Sequence, residues 1–290
     1  MENTASIGKE IAGKAGHIAL RVVIYALLVA GAFILVFPYL WMLLTSFKDD
    51  YEAMSLTLVL FPTHWIFTNY GEIWTVVPLL RGVANTLIVE VSVIAVGTFV
   101  SSMAAFSFAK LKLRHKTFWL LFLMSGMMVP YAALMMPQFR AFMALNMFDT
   151  LWPLILPGFF GNVSMMFFLI QYMRGLPNAI FEAAKIDGAS YMRSFLSVML
   201  PMIKTALAAQ IIFWFIGIWN DYFAPAIYLK SYEQMTLQPM MARINSDNSG
   251  GTNLPLIMAG AVLSSIPMLA IYISCQKFFI ESLAISGVKG

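Results

Sequence analysis

Six long apolar stretches dominate this sequence and limit the folds that the chain can adopt. They cover residues 22–47, 82–109, 117–139, 150–173, 205–229 and 248–276, and together they contain only two charged residues, Glu90 and Asp221. A helix needs about 20 apolar residues to cross a hydrocarbon core about 30 Å thick, and lipid requires its backbone polar groups to pair internally. The sequence therefore predicts an all-α polytopic membrane protein with six transmembrane helices.

The composition excludes an ordinary soluble domain. Hydrophobic residues make up 60% of the 290 residues and charged residues only 11%, whereas soluble domains carry about 25% charged residues. The single cysteine, Cys275, excludes an intrachain disulfide and a multi-cysteine metal site. The first apolar stretch is too long for the core of a cleaved signal peptide, so we expect it to be a retained span.

The distribution of basic residues predicts the orientation of the chain in the membrane. Thirteen of the 18 lysines and arginines lie in the two terminal segments and in the connections after the second and fourth stretches. Such residues concentrate on the cytoplasmic side, so both termini and the segment 174–204 are expected there. The net charge of +4 is modest and its clusters are short, which indicates membrane orientation rather than binding to nucleic acid.

Motifs for catalysis are absent from the sequence. It contains no Walker-type phosphate loop, no HExxH and no GxSxG, so we expect no ATP hydrolysis by this chain and no catalytic residue. The histidines His17, His64 and His115 lie in separate non-membrane regions on different sides of the predicted bilayer. A shared metal site is therefore not expected.

Two acidic residues inside the predicted spans are candidates for a substrate path. A charge at the bilayer centre costs roughly 2.5–3.5 kcal/mol, so each needs a partner, a water-filled cavity or a proton. Glu90 either reaches the outer interface, pairs with another group, or lines the path. Asp221 belongs to the run Trp219, Asn220, Asp221 and Tyr222, which suits the apolar faces and hydroxylated rim of a sugar. The alternative is a polar patch that binds a neighbouring helix, and one helix cannot turn all four side chains to one face.

A polar interruption at residues 181–201 separates the fourth and fifth stretches. Its sequence predicts a short helix over 178–186, a break at Asp187 and Gly188, and a second helix over 190–199 before Leu200 and Pro201. Two interpretations follow from these residues alone. The segment is either a solvated connector or a docking element for a cytoplasmic partner.

This segment resembles the EAA loop of permeases in the ATP-binding-cassette (ABC) importer class. Its EAAKIDGA run is similar to that of the carbohydrate-uptake branch, and specifically of the maltose-type second permease subunit. Four further pieces between about residue 18 and the C-terminus fit the same branch, namely Asn85-Thr86-Leu87, Trp219-Asn220-Asp221, Gln276-Lys277-Phe278 and Val288-Lys289-Gly290.

The resemblance implies a type I ABC importer permease fold with both termini in the cytoplasm. A cytoplasmic segment 1–21 would precede a permease domain 22–290, with core spans at about 82–276, a coupling loop at 174–204 and a cytoplasmic tail at 277–290. The tail departs from the family's glycine-rich pattern at residues 282–286, but Lys289 and Gly290 remain as residues that could contact the ATPase. The residues implied in coupling to the ATPase subunit are Glu182, Ala183, Ala184, Asp187, Gly188, Ala189, Leu200 and Pro201.

The resemblance also implies the partners. They are a second homologous permease, two ABC subunits that bind ATP and Mg²⁺, an extracytoplasmic solute-binding protein and a sugar or oligosaccharide, all at the bacterial inner membrane. This chain itself would be non-catalytic and hold no cofactor. Alternatives are an ABC permease for amino acids, phosphate or polyamines, and an ion-coupled secondary transporter using Glu90 or Asp221, which would leave the EAA loop unexplained. A membrane enzyme is the weakest alternative. Lysines and arginines are scarce in the spans, so no dedicated anionic-sugar site is indicated.

Overall fold

The computed structural model describes residues 2–247 and 253–287, with side chains over 20–244 and 253–276. Over these ranges the chain is helical and contains no strand, as predicted. A five-residue π-helix, Phe195–Met199, lies between the tenth and eleventh α-helices. The α-helices are α1 Glu2–Thr45, α2 Asp50–Ala53, α3 Asn69–Val76, α4 Leu79–Lys110, α5 Lys116–Gly126, α6 Tyr131–Ala144, α7 Trp152–Phe159, α8 Val163–Arg174, α9 Asn178–Ile186, α10 Tyr191–Ser194, α11 Leu200–Met202, α12 Lys204–Trp219, α13 Phe223–Tyr228, α14 Leu237–Asp247 and α15 Leu254–Gly287.

The number of spans depends on two bent helix pairs. Four described segments are long and apolar enough to cross a membrane: Leu20–Thr45, Leu79–Lys110, Trp152–Arg174 and Leu254–Gln276. The pair α5 and α6 bends by 87°, and the pair formed by Tyr191–Met202 and Lys204–Trp219 bends by 80°. The described chain therefore has four spans, or six if each bent pair is one span.

Three of the predicted spans are not continuous helices, and one of them, 150–173, divides into α7 and α8. The stretch 117–139 breaks after Gly126 and resumes at Tyr131, because Pro130 lacks an amide donor and disfavours helical backbone in the residue before it. The sequence predicts one helix over 205–229, and this prediction is wrong. The helix ends at Trp219, and Asp221 Oδ1 instead accepts hydrogen bonds from the amides of Phe223 (3.0 Å) and Ala224 (3.3 Å), which start α13.

The described chain divides into two compact units. One contains residues up to Gly71 together with Asn253–Val262, and the other contains residues from Glu72 to Asp247 and those from Leu263 onward. In the first unit, the segment after α1 folds back on its end. Asn69 Nδ2 donates to Ser46 O (2.9 Å), and the ring of Phe47 contacts Tyr70 at 5.2 Å between centroids.

In the second unit, α4 is the central helix, and it packs against α7, α8, α12 and α14. The helices approach closely because glycines lie at the crossing points. A Cβ added to Gly97 would overlap the carbonyl oxygen of Gly158 and the ring of Trp214. Nearer the 174–204 segment, Phe106 of α4 lies in an apolar core with Leu169 and Ile170 of α8. This packing forms the frame that positions the two candidate sites.

A carboxylate joins two connections of the second unit at the other end of its helices. Asp149, between α6 and α7, accepts hydrogen bonds at Oδ1 from the amides of Lys230 (2.7 Å) and Ser231 (2.9 Å). Partial burial acts to raise the pKa of Asp149, but these backbone hydrogen bonds outweigh it and hold the pKa below its ordinary value. The contact fixes the segment that follows α13.

Candidate functional sites

The short helix α9 ends in a Schellman motif (a glycine-based helix termination). The amide of Gly188 donates to Lys185 O (3.0 Å), and the amide of Ala189 donates to Ala184 O (2.9 Å). Gly188 has φ of +78°, and a Cβ added there would have no heavy atom within 4 Å. The position therefore favours glycine because of its left-handed backbone conformation and not because space is lacking.

One aromatic side chain anchors α9 to the helix bundle. Phe181 is 5% exposed, and its ring meets Phe106 of α4 edge-on at 5.4 Å between centroids. Phe106 also contacts Phe195 of the π-helix at 5.5 Å. Lys110, at the end of α4, donates to Leu176 O (2.9 Å) and Asn178 Oδ1 (2.7 Å). The helix is therefore held at its start and through its one buried side chain.

The rest of α9 and its turn face outward. Glu182, Ala183, Asp187 and Gly188 are exposed, while Ala184 and Ala189 are partly buried. Ile186 is apolar and yet 86% exposed. Glu182 and Ile186 are four residues apart, so α9 presents a carboxylate and an apolar side chain on the same exposed face.

Leu200 and Pro201 lie between the loop and the fifth predicted span. Leu200 packs against the apolar core, and Pro201 is exposed. Both belong to α11, which ends one residue before the fully buried Ile203 and the 80° bend into α12. The two tail residues in the prediction, Lys289 and Gly290, lie outside the described residues.

The second candidate site is a cavity of about 460 Å³ inside the second unit. Its apolar walls include Val89 and Val93 of α4 and Trp214 of α12. Six polar side chains, carried by well-separated parts of the sequence, also line it: Thr86, Tyr131, Gln138, Asn162, Asp221 and Thr236.

Among the residues predicted for the substrate path, Asp221 lines this cavity. Trp219 is 1% exposed, and its Nε1 donates to Ser264 O (3.0 Å), so it is a core residue. Asn220 is exposed and donates to Ile216 O (2.9 Å). Tyr222 lines a different depression, beside Arg243. Glu90 is 1% exposed and does not line the cavity, and neither of its carboxylate oxygens has a hydrogen-bond partner among the described residues.

Sequence reasoning missed most of the polar cavity residues. Tyr131, Gln138 and Asn162 are single polar residues within long apolar stretches, and nothing marks them as belonging together. Asn162 carries a local signal, because its Oδ1 caps α8 by accepting from the amide of Met165 (3.0 Å). Thr86 has a structural role as well, since its Oγ1 accepts from the amide of Leu237 (2.9 Å).

The long apolar helices are those of an integral membrane protein, and a family match identifies its class. Residues 97–284 match the family model described as "Binding-protein-dependent transport system inner membrane component". The chain belongs to this family and is an inner-membrane permease.

Relatives with assigned transport roles align over most of their length. The chain is 31% identical to the arabinooligosaccharides transport system permease protein AraQ of Halalkalibacterium halodurans, over 89% of this chain and 93% of that protein. It is also 31% identical to the diacetylchitobiose uptake system permease protein NgcG of Streptomyces coelicolor, over 87% of this chain and 84% of that protein.

A solved structure shares the fold. A chain of a bacterial ABC transporter involved in the import of the acidic polysaccharide alginate superposes with a TM-score of 0.79 at 22% identity, covering 89% of this chain and 95% of that one. The ABC importer permease fold implied by the resemblance is therefore confirmed.

Proposed function

We propose that this chain is the permease subunit of an ATP-driven importer and carries a sugar or oligosaccharide across the membrane by alternating access. The observation that carries the proposal is the anchored, outward-facing helix α9 in a member of this transport family. Its sugar specificity is inferred from the arabinooligosaccharide and diacetylchitobiose permeases to which the chain is similar.

In this proposal α9 is the coupling helix that transmits movement of an ATPase subunit to the spans. The positive charge distribution supports a cytoplasmic position for the loop 174–204 and for both termini. Phe181 supplies the stiff connection to α4 that rigid-body alternating access requires. The coupling surface comprises Glu182, Ala183, Ala184, Asp187, Gly188, Ala189, Leu200 and Pro201.

The proposed transporter also contains partner proteins. Two ABC subunits bind ATP and Mg²⁺ and hydrolyse the nucleotide, so this chain is non-catalytic and holds no cofactor. A second permease forms the other half of the pathway, and an extracytoplasmic solute-binding protein delivers the sugar. The tail residues Lys289 and Gly290 contact the ATPase. The domain division is a cytoplasmic segment 1–21 and a permease domain 22–290, with core spans at about 82–276.

The test is uptake by the complete complex reconstituted in liposomes, with ATP enclosed on the ATPase side and the binding protein on the other. We expect uptake of an arabinooligosaccharide or diacetylchitobiose that requires ATP and the binding protein and persists when a protonophore collapses the proton gradient. Uptake that continues without ATP and stops with the protonophore would instead indicate an ion-coupled transporter that uses Glu90 or Asp221. ATP-dependent uptake of amino acids, phosphate or polyamines, with no saccharide uptake, would refute the sugar assignment alone.

A further inference from the structure

We propose that the cavity of this subunit itself binds one neutral sugar unit of the substrate, and that Asp221 excludes anionic saccharides from it. The proposal deepens the transport function and rests on it. It assigns to this subunit a direct role in substrate selection, with Thr236, Asn162 and Asp221 as the hydrogen-bonding groups.

The shape and composition of the cavity suit a sugar ring. Its volume of about 460 Å³ lies within the range of about 300–1,000 Å³ that is typical of small-molecule sites, which combine apolar walls with a few polar groups. Trp214 and Tyr131 supply aromatic surface for the apolar faces of a ring. The polar groups belong to different elements, and they can therefore reach hydroxyls on more than one edge of the ring.

One polar group in the cavity has no partner within the described structure. Thr236 is 4% exposed, and its Oγ1 makes no hydrogen bond to any described residue. A buried hydroxyl without a partner is unfavourable, so this group calls for a ligand or a water molecule. It lies in the cavity wall, where a sugar hydroxyl can satisfy it.

Asn162 and Asp221 each use one side-chain oxygen to hold the local backbone. Asn162 Oδ1 accepts from the amide of Met165, and Asp221 Oδ1 accepts from the amides of Phe223 and Ala224. These contacts leave the Asn162 amide as a donor and the Asp221 Oδ2 as an acceptor. A neutral sugar hydroxyl can pair with either group, because it both donates and accepts.

The charge of the cavity distinguishes between neutral and acidic saccharides. None of the lining residues is lysine, arginine or histidine, and the one charged group among them is Asp221. A uronate would place a second negative charge near Asp221 in a region of low dielectric, where like charges repel more strongly than in water. It would also find no arginine for the bidentate contact that carboxylates favour. The cavity therefore favours a neutral sugar, although the alginate importer shares the fold.

The first test measures binding without the solute-binding protein, because that protein has its own specificity. The complete membrane complex in nanodiscs is titrated with arabinotriose, diacetylchitobiose and trigalacturonate, and binding is followed by equilibrium dialysis. We expect at least tenfold tighter binding of one neutral saccharide than of trigalacturonate. Equal or tighter binding of trigalacturonate would overturn the proposal.

The variants locate this binding in the cavity. Thr236→Val removes the unpaired hydroxyl and is expected to weaken neutral-sugar binding at least fivefold. Asp221→Asn keeps the Oδ1 acceptor that starts α13 and is expected to reduce the preference for neutral sugars at least threefold. Tyr222→Phe, which lies next to Asp221 but outside the cavity, is the matched control and should bind like the wild type.

A failure of the cavity proposal can be distinguished from a failure of the proposed function. If both cavity variants bind and transport sugar like the wild type, the cavity proposal is wrong, and the importer assignment stands. If wild-type complexes show no ATP-dependent saccharide uptake, the importer assignment fails first. Thermal denaturation of each variant serves as the folding control, and a Thr236→Ser variant, which restores the hydroxyl, is expected to bind like the wild type even if Thr236→Val is unstable.

Discussion

Replacing Gly188 tests whether the turn after α9 transmits force through its backbone conformation. The glycine has φ of +78° and open space around it, so a substitution there changes backbone preference without creating an internal clash. Gly188→Val introduces a β-branched residue that strongly disfavours this region, whereas Gly188→Asn introduces a residue of similar size that tolerates it. Comparing these two variants therefore separates the effect of backbone conformation from the effect of side-chain size.

The expected magnitude follows from the cost of the left-handed conformation. An L-residue loses roughly 1–2 kcal/mol there relative to glycine, which lowers the equilibrium ratio of native to non-native turn by a factor of about 5–30. The valine variant lies at the upper end of that range. For asparagine we expect less than half of the free-energy cost. The two hydrogen bonds of the Schellman motif, from Gly188 and Ala189, are the contacts that the valine variant should lose.

The assay compares sugar-stimulated ATP hydrolysis with sugar uptake in the reconstituted complex. We expect Gly188→Val to reduce uptake at least fivefold and to lower the number of sugars carried per ATP, whereas Gly188→Asn retains more than half of both. Size-exclusion profiles of the two variants control for insertion and assembly. If valine and asparagine impair coupling equally, bulk at the docking surface and not backbone conformation is the cause, and the reasoning is wrong.

Three further predictions concern the frame around the sites. Phe181→Ala should cost about 3–5 kcal/mol of packing free energy and uncouple ATP hydrolysis from uptake, and Phe181→Leu should be less affected. If the alanine variant carried as much sugar per ATP as the wild type, the anchoring role of Phe181 would be contradicted. Gly97→Ala should lower the free energy of unfolding by about 1–3 kcal/mol. Gly31→Ala should not lower it, because no atom lies near the added Cβ. If the two variants had the same Tm, the close packing of α4 at Gly97 would be contradicted. Because the pKa of Asp149 is lowered by folding, its stabilisation should be present above its unfolded pKa of about 3.9 and disappear as the pH falls through its lower folded pKa. Asp149→Ala should therefore lower the free energy of unfolding by about 1–3 kcal/mol near neutral pH. Asp149→Asn keeps the acceptor, so it should lower this free energy less, and its Tm should depend less on pH in the acidic range. If the Tm of the asparagine variant depended on acidic pH as strongly as that of the wild type, the role assigned to the Asp149 carboxylate would be contradicted.

The parts of the fold that local sequence determines could be predicted. Apolar length predicts which segments are helices, and the pair Asp187 and Gly188 predicts where α9 ends, because glycine at that position terminates a helix. The bend after α11 and the end of α12 at Trp219 could not be predicted from an apolar window. Such a window averages over Asn220 and Asp221, whose side chains redirect the backbone.

The cavity could be predicted only in part, because its residues come together through tertiary packing. Asp221 is visible in the sequence, since a charge in an apolar stretch requires an explanation. Thr86, Asn162 and Thr236 are uncharged residues from three distant parts of the chain, and only the packing of α4 with its neighbours brings them to one space. Trp219 shows the converse case, because an aromatic side chain that suits a sugar is instead buried and hydrogen-bonded to Ser264.

The most direct test of the coupling role of α9 is a site-specific photocrosslink. A photoreactive amino acid replaces Ile186, which is 86% exposed, in the fully assembled complex in liposomes, and a second complex carries it at the exposed Tyr222 as a control. We predict that position 186 forms an adduct with the ATPase subunit, that the yield changes when ATP is bound, and that position 222 forms no such adduct. An ATPase adduct at position 222, or none at position 186 in a complex that transports sugar, would contradict the assignment of α9 as the coupling helix.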